Sequence, residues 1–159
     1  MIVKTFDKTV LSISDDSGFL ALVNAERYKS FVGSDLNSQQ LQQRFTEQSK
    51  AQTIFIWETG SEGFHNVAII PEPTTQTATK EFKGQIEVTR GCIYLTNYED
   101  LSMAAQFDNE NLPAAHNSDL IIHLPNAGYN VTVRQLTYLD NAPEHDERID
   151  FEICLIARN

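Results

Sequence analysis

Near the end of the chain Ile149, Phe151, Ile153 and Leu155 alternate with the acids Asp150 and Glu152. A two-residue period belongs to a strand with one face in a core and the other in water, and it cannot be the 3.6-residue period of a helix. The same alternation recurs in residues 85–89 (QIEVT), 92–96 (CIYLT) and 129–138 (YNVTVRQLTY). Shorter apolar runs at 10–14, 19–23, 53–57, 67–70 and 120–124 bring the expectation to about eight or nine strands. The chain is therefore expected to be mainly β, closed as an antiparallel β-sandwich with one or two short helices.

Turn chemistry sets the expected pairing. Arg90-Gly91 predicts a hairpin joining 85–89 to 92–96, because Gly91 accepts the positive φ of a tight turn. Pro125-Asn126-Ala127-Gly128 predicts a second hairpin joining 120–124 to 129–138, and the last strand is expected to pair with 130–138 across a loop at 139–148. The Gln-rich run 38–50 has no Gly or Pro and spaces Leu41, Arg44, Phe45 and Gln48 by three or four, which predicts a helix. Residues 99–107, with acids at the start, predict a second short one. The proline-punctuated, Thr-rich stretch 71–79 reads as a loop, and no internal repeat is present.

With 159 residues, 41% hydrophobic and 21% charged, the chain suits one domain spanning 1–159. Twelve Lys and Arg against 22 Asp and Glu leave a formal charge of −10. Duplex DNA or RNA, which binds proteins through phosphate neutralisation, is a poor direct ligand for such a chain, whereas a basic protein partner suits it. Residues 1–80 carry seven basic and nine acidic side chains, and residues 81–159 carry five and thirteen, so most of the field is expected in the second half. Two cysteines make no disulfide framework, and the first residues lack the basic and apolar regions of a secretory signal. No apolar run approaches the roughly 20 residues that span a bilayer. A cytoplasmic protein away from membranes is the expectation.

The residues offer little catalytic chemistry. His65, His116, His123 and His145 have no metal-ligand spacing and neither cysteine has a CxxC mate, so no metal or other cofactor is expected. Ser61 directly follows Gly60, so 60–63 reads as a turn rather than a nucleophile elbow, and phosphate-binding glycine loops are absent. Cys92 reads as a small core residue. A non-enzymatic protein follows.

The sharper feature is an acidic run. Asp140, Glu144, Asp146 and Glu147, with Asp150 and Glu152 just beyond, put six carboxylates within thirteen positions, among which only Arg148 is basic. Such a run serves either as a solvated surface or as a patch that docks into a basic cleft; calcium-loop spacing and its glycine are absent. Asp108 and Glu110 add charge, and Tyr98 and Tyr138 flank the acidic segments as candidate interface anchors. Phe107 and Trp57 are expected in the core. A small-ligand or glycan-binding sandwich, with Trp57 and tyrosines stacking on sugars, is the alternative reading.

The order of segments adds a resemblance. LSIS at 11–14, IFIWETGS at 54–61, IEVTRGCIYLT at 86–96, LIIHLPNAGYNVTV at 120–133 and a closing Asp150-Phe151-Glu152-Ile153 follow one another, with Leu124-Pro125 then Tyr129 as the most specific element. This resembles the small acidic inhibitor proteins of the competence DNA-entry nuclease. The resemblance implies a cytoplasmic, non-enzymatic β-sandwich that binds and neutralises a nuclease, akin to the immunity proteins carried beside bacterial toxins. It assigns no residue a role, and this chain departs from the pattern at 38–50 and 108–117.

Overall fold

The computed structural model describes residues 6–138 and 148–158. Nine strands among them form two sheets: β1 (Thr9–Asp15), β2 (Phe19–Val23), β3 (Ile54–Glu58), β4 (Gly63–Ile70), β5 (Ala78–Val88), β6 (Cys92–Asn97), β7 (Ile121–His123), β8 (Ala127–Leu136) and β9 (Phe151–Ala157). One sheet has the order β1-β4-β9-β8-β5 and the other β3-β2-β6-β7. The alternating apolar residues meet between the sheets, where Ile13, Ile69, Ile86, Val131 and Ile153 from one face Leu20, Leu22, Trp57, Ile93 and Leu95 from the other. The β-sandwich is as expected, Trp57 is buried, and β8 and β9 pair antiparallel from Tyr129↔Ala157 to Gln135↔Phe151. One pair departs from the antiparallel rule: β4 and β9 run parallel, with Val67 opposite Phe151.

Neither predicted hairpin forms. β5 pairs with β8 and β6 with β2 and β7, so the Arg90-Gly91 turn carries the chain from one sheet to the other. Gly91 has the expected positive φ, 73°, but this lets Ile86 and Val88 face Ile93 and Leu95 across the core instead of lying beside them. The turn after β7 is likewise a crossover, since β7 belongs to the four-stranded sheet and β8 to the five-stranded one. Tyr129, fully buried, donates its hydroxyl to the Pro125 carbonyl at 2.7 Å, which accounts physically for the Leu-Pro…Tyr spacing.

Two helices cover the outer face of the four-stranded sheet: α1 (Ser38–Lys50) and α2 (Tyr98–Gln106). α1 starts where Asn37 accepts the Gln40 amide at 2.9 Å while the Gln40 side chain accepts the Asn37 amide at 3.0 Å, a reciprocal cap. Its inner side buries Gln48, whose Oε1 accepts from the Lys29 amide at 3.0 Å and the Thr53 hydroxyl at 2.9 Å. In α2, Leu101 packs with Ala21, Val23, Tyr28 and Ile54. No helix of the described residues is long and apolar enough to cross a membrane.

Four expectations about burial need correction. The polar face of β9 is not in water: Glu152 is only 2% exposed, paired with Arg134 and roofed by residues 71–77. β9 is the middle strand of five, and the Thr-rich connection folds back across it. Ile149 packs with Ala68, Ile70 and Cys154 rather than in line with Phe151, because the alternation begins only at the strand itself. Phe107 is 39% exposed, and Cys92 is only half-buried, unlike the buried Cys154.

Candidate functional site

The strand directions gather five segments at one end of the sandwich. Asp15 lies opposite Gly63, Phe19 opposite Glu58 and Leu20 opposite Asn97, so the β1–β2 turn, the β3–β4 turn and the start of α2 lie together. Asp150 joins them, because its amide donates to the Asn66 carbonyl and its carboxylate accepts the Asn66 amide, both at 2.8 Å. The Leu136 amide donates to the Asp150 carbonyl at 3.0 Å, which brings the end of β8 alongside.

These segments, 14–19, 58–64, 97–100, 136–138 and 148–150, contain seven acids and one base. The acids are Asp15, Asp16, Glu58, Glu62, Glu99, Asp100 and Asp150; the base is Arg148, whose guanidinium lies 5.6 Å from the Tyr138 ring centre. At the opposite end the charges neutralise one another, with Arg27 and Arg90 against Glu26 and Arg158 against Glu87 at 2.8 Å. The acidic end also bears Phe64, which at 72% exposure is the most exposed of the large apolar side chains described. An exposed aromatic side chain rimmed by polar residues is a feature found in interaction surfaces.

Asp15 builds this end from within. Its Oδ1 accepts the amides of Ser17, Gly18 and Phe19 at 3.0, 2.7 and 3.2 Å, and its Oδ2 accepts the Thr59 hydroxyl at 2.7 Å. His65 Nε2 lies 3.3 Å from the same Oδ2 and 3.1 Å from the Ser61 carbonyl. Burial alone would raise the Asp15 pKa; the Thr59 hydroxyl and the three amides outweigh it and hold the carboxyl below its ordinary 3.8. A depressed folded-state pKa contributes stability that is complete above the unfolded value and is lost as pH falls through the folded one. Asp15→Asn is therefore expected to cost about 2 kcal/mol at pH 7, with the difference from the parent shrinking below pH 3.8. Urea unfolding at several pH values checks this, and a pH-independent difference would contradict it.

The site residues read from sequence are only partly brought together. Tyr98 lies at the acidic end, with its ring 5.9 Å from Phe19 and 6.0 Å from Phe45. Tyr138 lies there too, donating its hydroxyl to the Ile149 carbonyl at 2.7 Å and accepting the Ile149 amide at 3.0 Å. Asp140, Glu144, Asp146 and Glu147 lie outside the described residues, between Tyr138 and Arg148. Asp108 and Glu110 are exposed but follow the far end of α2, away from the rest. Glu152, counted with the acidic run, is internal. Asp16, Glu58, Glu62 and Phe64 were missed; for Phe64 the signal was its parity, since it shares a face with Asn66 and not with Val67. Among the described residues no cluster of three or more metal-ligating side chains forms.

The fold has counterparts among solved structures. The structure of ComJ from Bacillus subtilis, described as an inhibitor of the DNA degrading activity of NucA, matches over 99% of this chain and 100% of that one, with a TM-score of 0.54 and 12% identity. The chain shares the fold of ComJ. A second structure, described as crocagin biosynthetic gene J, matches over the same shares with a TM-score of 0.61 and 13% identity. No protein-family model matches the sequence, and no curated protein does. The resemblance carried by Leu124-Pro125 and Tyr129 thus holds at the level of fold.

Proposed function

We propose that this chain is a cytoplasmic, non-enzymatic inhibitor or immunity protein that binds a basic nuclease or toxin domain and neutralises it. The carrying observation is the acidic end: Asp16, Glu58, Glu62, Glu99 and Asp150, exposed or half-buried with Arg148 as the one base, on an end that also bears the exposed Phe64 and on a fold shared with a nuclease inhibitor. Fold alone does not assign function, so the weight rests on that surface. A nuclease groove is built to hold phosphates; carboxylates fixed on a rigid sandwich end present competing negative charge to the same lysines and arginines. Encounter is then steered by long-range attraction, and apolar anchors such as Phe64 hold the docked complex. The run 140–147 adds four carboxylates to the sequence that joins Tyr138 to Arg148. Trp57, the natural stacking platform of a glycan-binding module, is only 2% exposed, which counts against that reading.

The test joins capture to activity. Tagged protein is bound at low salt to lysate of its own source, eluted with a salt step, and the recovered proteins are identified. A recovered nuclease is then assayed on plasmid DNA with increasing amounts of the purified chain. The expected result is loss of DNA degradation near one equivalent. A captured nuclease that stays fully active at several equivalents would refute the inhibitor reading.

A further inference from the structure

Beside the acidic end, between α1 and the outer face of the four-stranded sheet, lies a cleft of about 460 Å³. Phe19, Phe45, Ile56 and Tyr98 form its apolar walls, with Ser17 and Gln42 among its polar ones. Tyr98 is the hinge of the three rings: the Phe19 ring is tilted 40° to it and the Phe45 ring stands at 70°. None of the residues lining the cleft is basic.

Carboxylates border these rings on two sides. Glu58 is the direct cross-strand partner of Phe19, so the two side chains leave the sheet on the same face about 5 Å apart at Cβ. Glu99 follows Tyr98 and Asp16 precedes Ser17, and the Asp16 amide donates to Glu99 Oε1 at 2.7 Å. Glu99 Oε2 is buried without a hydrogen-bond partner. Among the described residues none of Asp16, Glu58 and Glu99 takes part in an ion pair. Aromatic faces beside uncompensated carboxylates repel anions and attract cations. Of the two long cationic side chains, the guanidinium is planar, more weakly hydrated, and able to stack on a ring while its N–H groups reach a carboxylate. A lysine ammonium would have to shed more water to enter.

We propose that this cleft receives an arginine side chain of the basic partner, stacked against Tyr98 and Phe19 and paired with Glu58. The source of the arginine rests on the inhibitor reading; the chemistry of the cleft does not. The direct test is an NMR titration of the whole protein with N-acetyl-arginine-N-methylamide, with the citrulline compound as a neutral isostere. The ring signals of Phe19, Phe45 and Tyr98 should shift saturably with a Kd on the order of millimolar. The citrulline compound should bind at least roughly fivefold more weakly, and Glu58→Gln should weaken the arginine compound by about threefold. Tyr98→Leu, which keeps an apolar side chain at the site, should abolish saturation while leaving the remaining spectrum folded. Equal shifts from the two compounds, or shifts that persist in Tyr98→Leu, would overturn the proposal. The titration needs no nuclease, so its failure leaves the inhibitor reading to the capture and inhibition test.

Discussion

Glu152→Ala will lower the free energy of unfolding by about 3–5 kcal/mol, a large part of what holds a domain of this size folded. Glu152 sits on the middle strand, 2% exposed, directly opposite Arg134 on β8, and its Oε1 accepts from the Arg134 guanidinium at 2.9 Å. The Thr74 amide reaches the same oxygen at 3.3 Å and the Thr74 hydroxyl bonds Oε2, while Arg134 also donates to the carbonyls of Thr74 and Gln76. One ion pair therefore fastens residues 74–76 over the sheet. Removing the carboxylate leaves a largely buried guanidinium without its counter-charge and the connection without its anchor. Breaking such a pair costs more than deleting both partners, so Glu152→Leu combined with Arg134→Met will be less destabilised than Glu152→Ala alone. Urea unfolding followed by the fluorescence of the buried Trp57 measures both. A Glu152→Ala loss below about 1 kcal/mol would show that water or a neighbouring carboxylate has taken over the pairing with Arg134.

The same residue shows how far the chain could be read in one dimension. Period two located the strands, because it reflects the pleat that every strand shares. It gave no neighbours. Glu152 was expected in water because its own strand alternates, yet its environment is set by residues 71–77, nearly eighty positions away. Both crossovers were read as hairpins for the same reason: a positive φ at Gly91 serves an arch between sheets as well as a hairpin within one. Pairing partners are decided by which arrangement closes the core, and that is a property of all nine strands at once. α1 came out with its bounds intact, since Asn37 and Gln40 cap it locally and nothing inside it breaks the helix.

The acidic end was half legible. Counting by halves assigned the field to residues 81–159, where the run at 140–147 lies. Asp16, Glu58 and Glu62 come from the nearly neutral first half, in turns, where Asp, Glu and Gly look like ordinary turn composition. Only the antiparallel register of β1 with β4 and of β2 with β3 and β6, and the parallel register of β4 with β9, bring those turns to the end where Tyr138 and Arg148 stand. Tyr98 was found as an aromatic beside acids, but its part in a cleft depends on Phe19 and Phe45, which no local spacing links to it.

If that end steers the partner, position should matter more than net charge. Asp16→Lys, Glu58→Lys and Glu62→Lys combined will slow association with the proposed nuclease partner at low salt by roughly 10- to 100-fold, because attraction that orients encounter is replaced by repulsion at the acidic end. The same three-fold reversal at Asp35, Glu47 and Glu72, which are exposed outside this end, changes net charge equally. At about 0.1 M salt it should slow association by less than about threefold, since charges more than the roughly 10 Å Debye length from the contact are then largely screened. Raising the salt to about 0.5 M should bring the two variants and the parent together within a factor of a few, with the dissociation rates changing less than the association rates. Stopped-flow mixing across a salt series resolves these terms. Equal slowing by both triple variants would assign steering to net charge and remove the acidic end from the mechanism; an unchanged on-rate in the first would remove electrostatic steering altogether.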